Sequence, residues 1–362
     1  MDLQTRETTT QSATKTEPLC PVFGVCGGCA YQNIVYEDEI QLKQNRLKQL
    51  FLSAFPENKF LIRNVVRSPL EYHYRHRLDL GIYRLKSGEF ILGFMDGYKK
   101  HKVPIESCVI ARKEISDFIP ELKKQAIKIW PPKYQLANIA IRTDDSGRVM
   151  WGGIGKGSLQ MKEEDYLWTR VDGKKIYFSM ESFFQSNLSI LEPLIQTIKN
   201  LKVIRNNTLF FDLYSGVGFF GLCFSNTAQK IIMIEESIAS AQLAKFNIEK
   251  LVLGGKIQFY QGKVEDFLPV LSQSHPEMHK VAIIDPPRKG LHENVCRFLA
   301  RPAEASFDLD VLLYLSCSPE SLIRDLKTLT AGDWKIGEII PFDFFPKTEH
   351  LEVLAVLHRK RN

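Results

Sequence analysis

The sequence predicts an α/β protein. A doubly wound, Rossmann-like sheet is expected over residues 181–362, preceded by a smaller β-rich domain over 20–180 that carries a cluster of cysteines. Three observations predict this. From Thr208 onward, apolar runs of strand length alternate with runs of helix length, the pattern of βαβ units. The first of these strands ends in Gly216-x-Gly218-x-x-Gly221, a tight turn that leads into a helix. Between Leu61 and Thr143 the pattern is different: short runs alternate with period two and are punctuated by Ser87-Gly88, Asp96-Gly97 and Asp145-Ser-Gly147, as in antiparallel hairpins.

A chain of 362 residues has room for two domains, and 44% hydrophobic with 25% charged residues is an ordinary globular composition. No apolar run approaches the length of a membrane span. The start of the chain, Met1 to Glu17, is polar and lacks an apolar signal core, so residues 1–19 read as a disordered tail of a cytoplasmic protein. A formal charge of +6 suggests a basic surface. Seven cysteines without a signal segment favour metal binding or catalysis over disulfides.

Three of those cysteines fall within ten residues, Cys20-Pro-Val-Phe-Gly-Val-Cys26-Gly-Gly-Cys29, where the glycines let the backbone wrap closely around a centre. Cys108 can supply a fourth thiolate. Four thiolates suit an iron–sulfur cluster or structural zinc, and the spacing does not choose between them. A helix follows over Glu37–Phe55, with Ile40, Leu42, Leu47, Leu50 and Phe51 as its apolar residues and Lys43, Arg46 and Lys48 as its polar ones. In the β region, Arg77–Tyr83, Phe90–Phe94 and Ile139–Thr143 read as strands. Two basic stretches lie there: Tyr72-His-Tyr74-Arg75-His-Arg77 and Lys99-Lys-His-Lys102. Cations neutralise phosphates and tyrosines stack on bases, so these stretches read as a nucleic-acid face or, equally, as a solvated sheet edge.

A second shift comes between Tyr177 and Leu188. An amphipathic helix is expected over Leu188–Leu201, then strands at Thr208–Leu213, Lys230–Ile234, Lys256–Tyr260, Val281–Ile284 and Val311–Leu315. The intervening helices are expected at Phe219–Ser225, Ile238–Leu251, Glu293–Leu299 and Glu320–Leu329. In such a sheet the carboxyl ends of the strands hold the chemistry. The glycine turn with Gly216 and Gly218, and Glu235 at the end of the next strand, suit a cofactor with an adenosine ribose, either NAD or S-adenosylmethionine. Asp285 sits before two prolines that stiffen its loop. Cys317 stands just before a helix capped by Ser318, where the helix dipole favours a thiolate; it reads as a nucleophile or as a buried core cysteine. Glu352, between Leu351 and Val353, is a carboxylate in apolar surroundings, which raises its pKa and suits a general base.

Five motifs in order resemble those of the RNA (uracil-5-)methyltransferase family. They are Ser182-Phe-Phe-Gln185-Ser-Asn187, Asp212-Leu-Tyr214-Ser-Gly-Val-Gly218, Ile284-Asp285-Pro-Pro-Arg-Lys-Gly290, Ser316-Cys317-Ser-Pro, and Phe345-Pro-Lys-Thr-Glu-His-Leu-Glu352. The resemblance covers nearly the whole chain from Cys20. The cysteines Cys20, Cys26, Cys29 and Cys108 are similar to the [4Fe–4S] motif of the members that modify large-subunit ribosomal RNA. The resemblance implies S-adenosylmethionine among Gln185, Tyr214, Glu235 and Asp285. It implies that Cys317 adds to carbon 6 of uracil, that Glu352 removes the proton from carbon 5, and that Asp285 meets the flipped base or the cofactor. It also makes Tyr74, Arg75 and Arg77 expected RNA contacts. Ribosomal RNA is the expected substrate, with the T loop of transfer RNA as the alternative and a silent RNA-binding or assembly protein as a third reading. A monomer without an obligate protein partner and without a membrane is expected. Some members carry a second cysteine where this chain has Ser215, and Asn where it has Ser318. Only about twenty residues precede Cys20, too few for the N-terminal β-barrel of some relatives.

Overall fold

In the computed structural model the described residues are 13–57, 59–97, 101–129, 135–153, 165–271, 277–300 and 309–360. The chain opens with helix α1 (Tyr36–Ala54) and the short strand β1 (Leu61–Ile62). Strands β2 (Arg77–Arg84), β3 (Phe90–Met95) and β4 (Lys102–Pro104) follow, then α2 (Lys113–Ile129), β5 (Leu136–Thr143) and β6 (Val149–Gly153). A hairpin, β7 (Leu167–Val171) and β8 (Lys174–Phe178), leads to α3 (Leu191–Asn200). The alternating half comprises β9 (Thr208–Leu213), α4 (Phe219–Cys223), β10 (Lys230–Glu235), α5 (Ile238–Lys250), β11 (Ile257–Gln261), α6 (Val264–Leu271), β12 (His279–Ile284) and α7 (Glu293–Ala300). It closes with β13 (Val311–Ser316), α8 (Pro319–Ala331), β14 (Trp334–Phe342) and β15 (Glu352–Arg359).

The large sheet has the order β1-β14-β15-β13-β12-β9-β10-β11. Strands β13, β12, β9, β10 and β11 run parallel, and β15 is antiparallel between β13 and β14. The central strands β9, β12 and β13 are buried on both faces and mostly apolar, and the period of two divides each between two cores. Phe210, Met233, Ile283, Leu313 and Leu354 pack on one side with α3 and the β7–β8 hairpin. Phe211, Ile232, Ile284, Tyr314 and Val353 pack on the other with α1, α7 and α8. The doubly wound expectation is met, and the order reverses between β9 and β12, where such sheets bind ligands.

A separate five-stranded antiparallel sheet, β4-β3-β2-β5-β6, packs on α2 through Leu80, Ile82, Ile115, Leu122 and Ile141. This is the smaller β-rich domain. Three placements differ from the sequence reading. Helix α1 and β1, expected within 20–180, belong to the large sheet, because Tyr36, Ile40, Leu47 and Phe51 fill its core and β1 pairs with β14. The β7–β8 hairpin also joins that sheet's core through Leu167, Val171, Ile176 and Phe178. Residues 1–12 of the expected tail lie outside the described residues. The next few are not a loose tail: Val35 N–H donates to Thr14 O at 3.0 Å, and Lys15 bridges to Ile34. The backbone pairing satisfies the groups that a tail would leave to water.

One buried cation joins the two sheets. Arg142, the penultimate residue of β5, is fully buried and donates to the carbonyls of Ser179, of Ser182 at 3.0 Å and of Phe184 at 3.5 Å. Its guanidinium also lies 5.0 Å from the centre of the Phe178 ring. Without a carboxylate partner, burial lowers its pKa to about 9. The loop that carries Gln185 is thus shaped by a donor fork from the other sheet. Arg142→Ala is expected to cost roughly 2–4 kcal/mol, because it strands buried carbonyls. Urea unfolding measures the loss, and faster proteolysis within 179–187 should accompany it.

Candidate active site

Strand register brings the motif residues together. Leu213 pairs with Ile284, so Tyr214 and Asp285 leave the sheet side by side. Ser316 pairs with Val353 in the antiparallel ladder, which sets the following Cys317 opposite Glu352. Four stretches that are distant in sequence therefore end at one edge.

The glycine turn is bent by left-handed backbone at three alternate positions: Tyr214 at φ +63°, Gly216 at +56° and Gly218 at +90°. A tyrosine in that region is uncommon and stores local strain, a frequent mark of a functional turn. A Cβ at Gly216 would meet nothing within 4 Å, so the turn opens onto free space. Both Glu235 oxygens accept backbone N–H groups, from Gly216 at 2.8 Å and from Ser237 at 2.7 Å. Asp212 accepts from Gly221 N–H at 2.8 Å with one oxygen. Its other oxygen, and the Ser215 hydroxyl, are buried without a partner. Burial pushes the Asp212 carboxyl up to about 7, helped by Asp285 and Glu235. Buried acceptors without donors fit a ligand that brings amino or hydroxyl groups. The sequence reading gave Asp212 no role, although a carboxylate inside an all-apolar strand was the visible signal.

Gln185 Nε2 donates to Asp285 Oδ2 at 2.9 Å, so the Arg142-shaped loop reaches the end of β12. Burial raises the Asp285 carboxyl, opposed by that hydrogen bond. Glu352 is 4% exposed, and burial and then Asp285 push it well above the usual carboxylate range, against Arg288. The direction of that shift is the one expected for a carboxylate in apolar surroundings. Cys317 departs from expectation. Ser318 does cap α8, its hydroxyl accepting from Ser321 N–H at 3.3 Å, and Pro319 begins the helix. Yet the thiol is pushed up to about 11 by burial, then by Glu352 and Asp285. Desolvation and two carboxylates outweigh a helix end worth only about 0.3–1 kcal/mol, so the thiolate is not the resting form. Cys317 lines a cleft of about 240 Å³ with Arg46, Arg288, Glu320 and His350.

The loop before Glu352 is held by buried charge. Lys43 Nζ pairs with Asp343 at 2.7 Å and Glu39 at 2.8 Å; Lys347 pairs with Glu39 at 3.4 Å and Glu71 at 3.0 Å. Tyr36 donates to Asp343 at 2.8 Å. The carbonyl of Lys347 accepts from Ala30 N–H at 2.8 Å and Tyr31 N–H at 3.1 Å, directly after Cys29.

Cys20, Cys26, Cys29 and Cys108 line one mainly apolar cavity of about 120 Å³ between the 20–29 loop and the β-rich domain. Burial pushes the Cys29 thiol up to about 12, with the other three cysteines adding to it. Among the described residues no three His, Cys, Asp or Glu side chains are placed to hold a single metal ion.

The expected RNA face is corrected at Tyr74. This tyrosine is 2% exposed and its hydroxyl donates to Pro346 O at 3.0 Å, so it cannot stack on a base. The reason is phase: Tyr74, His76, Leu78 and Leu80 alternate on one inward face. Arg75 donates to the Arg77 carbonyl at 3.0 Å and lines the cysteine cavity; Arg77 pairs with Asp79 at 2.9 Å. Both are half-buried in internal contacts. In the second basic stretch Lys99 and Lys100 lie outside the described residues, His101 pairs with Asp96, and Lys102 lies over Tyr83.

Strand order, the strained glycine turn and the acids around it define the fold of S-adenosylmethionine-dependent methyltransferases. The sequence profile of the tRNA (Uracil-5-)-methyltransferase family matches residues 153–360. The chain belongs to that family and is an RNA methyltransferase that transfers a methyl group to carbon 5 of uracil. It is 27% identical to an uncharacterized RNA methyltransferase of Clostridium tetani, over 96% of this chain and 85% of that protein. It is 26% identical to the 23S rRNA (uracil(1939)-C(5))-methyltransferase RlmD of Acinetobacter baumannii, over 96% of this chain and 81% of that protein. A similar fold is found in the Pyrococcus abyssi tRNA (uracil-54, C5)-methyltransferase in complex with S-adenosyl-L-homocysteine. The TM-score is 0.69 at 22% identity, covering 92% of this chain and 86% of the other. No helix among the described residues is long and apolar enough to cross a membrane.

Raised carboxyl pKa values set a pH dependence. Folded Asp212 and Asp285 keep their protons to higher pH than in the unfolded chain, so folding binds protons as pH rises from 3.8 to about 7. Stability of the free protein should fall across that window. Asp285→Asn removes one of these protons, and thermal melting of the two proteins against pH should show a shallower fall for the variant.

Proposed function

We propose that this protein methylates carbon 5 of one uridine in large-subunit ribosomal RNA through a covalent adduct with Cys317. The observation that carries this reading is that strand register sets Cys317 opposite the buried carboxyl of Glu352, beside Asp285. A nucleophile and a base on rigid neighbouring strands keep a fixed spacing.

S-adenosylmethionine supplies an electrophilic methyl group when bound. Gln185, Tyr214, Gly216, Gly218, Glu235 and Asp285 form its binding site, with the unpartnered Asp212 and Ser215 oxygens as acceptors for its amino and hydroxyl groups. Carbon 5 of uracil is a weak nucleophile. Addition of the Cys317 thiolate to carbon 6 makes an enolate, and carbon 5 then takes the methyl group. Glu352 removes the proton from carbon 5. Burial favours its protonated form in the free protein, so Glu352 must first lose that proton to solvent; once ionised, its raised proton affinity favours taking the proton from carbon 5. Elimination breaks the bond from sulfur to carbon 6 and frees Cys317. The target base must leave its stack to reach the cleft.

Cys20, Cys26, Cys29 and Cys108 hold a [4Fe–4S] cluster in this reading. Four thiols around one shared cavity suit a multi-atom cluster. The cavity and the relation to the Acinetobacter enzyme support ribosomal over transfer RNA as the substrate.

Purified protein incubated with methyl-labelled S-adenosylmethionine and unmodified ribosomal or transfer RNA tests the function. Label is expected in 5-methyluridine of ribosomal RNA, lost by roughly 10³-fold or more in Cys317→Ala. Label confined to transfer RNA would move the substrate and keep the chemistry. Full activity of Cys317→Ala would overturn the covalent route. Protein purified without oxygen should carry about four irons per chain with acid-labile sulfide. Cys108→Ser should lose them, whereas one zinc per chain would replace the cluster reading.

A further inference from the structure

The mechanism above leaves unused a cation mounted against its nucleophile. Arg288 follows the two prolines of the turn after β12, and its exposed side chain lines the cleft with Cys317. The turn is clamped to the start of α8. Ser321 Oγ donates to the Arg288 carbonyl at 2.8 Å, and Arg324 donates to the Lys289 carbonyl at 2.7 Å. Leu291 N–H donates at 2.8 Å to buried Asp325, which also accepts from Tyr314 at 2.7 Å. Gly290, at φ +80°, lies so close to Asp325 and Arg324 that a Cβ would collide with both. Helix α8 begins two residues after Cys317, so turn and sulfur are carried by one rigid unit.

Charge around the sulfur is otherwise unfavourable to a thiolate. Glu352 on β15 and Asp285 at the end of β12 both oppose it, and Arg288, which lines the same cleft, is the neighbour whose charge favours it. The cleft's remaining acids are Glu320 and Glu349, and its remaining cations are Lys43, Arg46 and His350. Lys43 is engaged by Glu39 and Asp343 in the buried pairs, and Arg46 faces Glu320 at 4.0 Å. Burial and Arg288 itself hold the His350 imidazole towards neutral.

We propose that Arg288 is a catalytic residue whose guanidinium hydrogen-bonds the Cys317 sulfur and holds it as the thiolate that attacks carbon 6. The S–H bond breaks before attack and its proton leaves to water through the open cleft. The same guanidinium receives the thiolate again when elimination breaks the bond to carbon 6. The helix end alone does not suffice there, since two carboxylates outweigh it. This inference rests on Cys317 being the nucleophile.

The first test needs no RNA. Full-length protein is treated with iodoacetamide at a fixed, mildly alkaline pH, and alkylation of the Cys317 peptide is followed by mass spectrometry. Arg288→Gln is expected to slow it by roughly tenfold, the effect of about one unit's rise in thiol pKa. Arg288→Lys, which keeps the charge, should fall between the two. Methylation by Arg288→Gln should lose kcat with little change in KM for RNA. The turn is held through backbone atoms, so the fold should survive, and matching melting curves check this. An unchanged alkylation rate, or equal rates for the Lys and Gln variants, would overturn the proposal. An unchanged rate together with a raised KM would make Arg288 a phosphate contact. Failure of the underlying reading shows separately, as methylation that persists in Cys317→Ala.

Discussion

The interior ion cluster of Glu39, Lys43, Asp343 and Lys347 is the constraint on which the active edge depends. These side chains are at most 2% exposed. Removing charges from water is costly and is offset only by close pairing. Here Lys43 is shared by two carboxylates, Lys347 lies beside Glu39, and Tyr36 donates to Asp343. The segment from Asp343 to Leu351 forms neither helix nor strand, yet it must deliver Glu352 to a defined position. Charge pairing does this work in place of a backbone ladder. The same segment takes hydrogen bonds from Ala30, Tyr31 and Tyr74, so the cysteine-rich loop leans on the loop that leads to the base.

Electrostatically, the free site is unfinished. Asp212, Asp285 and Glu352 are all driven towards their neutral forms, and Cys317 is driven towards the thiol. Acids of this kind near one another resist ionising together. Such an arrangement favours a cationic ligand, and the sulfonium of S-adenosylmethionine is one. Strain at Tyr214 and the unpartnered oxygens of Asp212 and Ser215 belong to the same picture, a site arranged for what it binds rather than for its own stability.

Much of the α/β half was legible because its signals are local. Apolar runs alternating with capped helices gave β9 to β13 and α5 and α8 nearly to the residue, and the motif ends named Asp285, Cys317 and Glu352. Tyr74 was legible too, in principle. Its phase with Leu78 and Leu80 marks an inward face, and the basic residues between them obscured it. Arg142 and Arg288 were not legible, because an arginine's role depends on which carbonyls or sulfur it meets, and those lie on other elements.

By itself the sequence determined the parallel strands and capped helices of the α/β half and the family, and it singled out Cys317 and Glu352 as candidates, since these follow from period, caps and motif order within short windows. Tertiary structure decided the rest. It moved α1 and the β7–β8 hairpin onto the large sheet, gathered the four cysteines around one cavity, and reversed the expected ionisation of Cys317. The physical reason is that burial and the distance between charges are properties of the packed chain. A helix end can be read from a few residues, whereas the carboxylates that outweigh it arrive from strands more than thirty residues away.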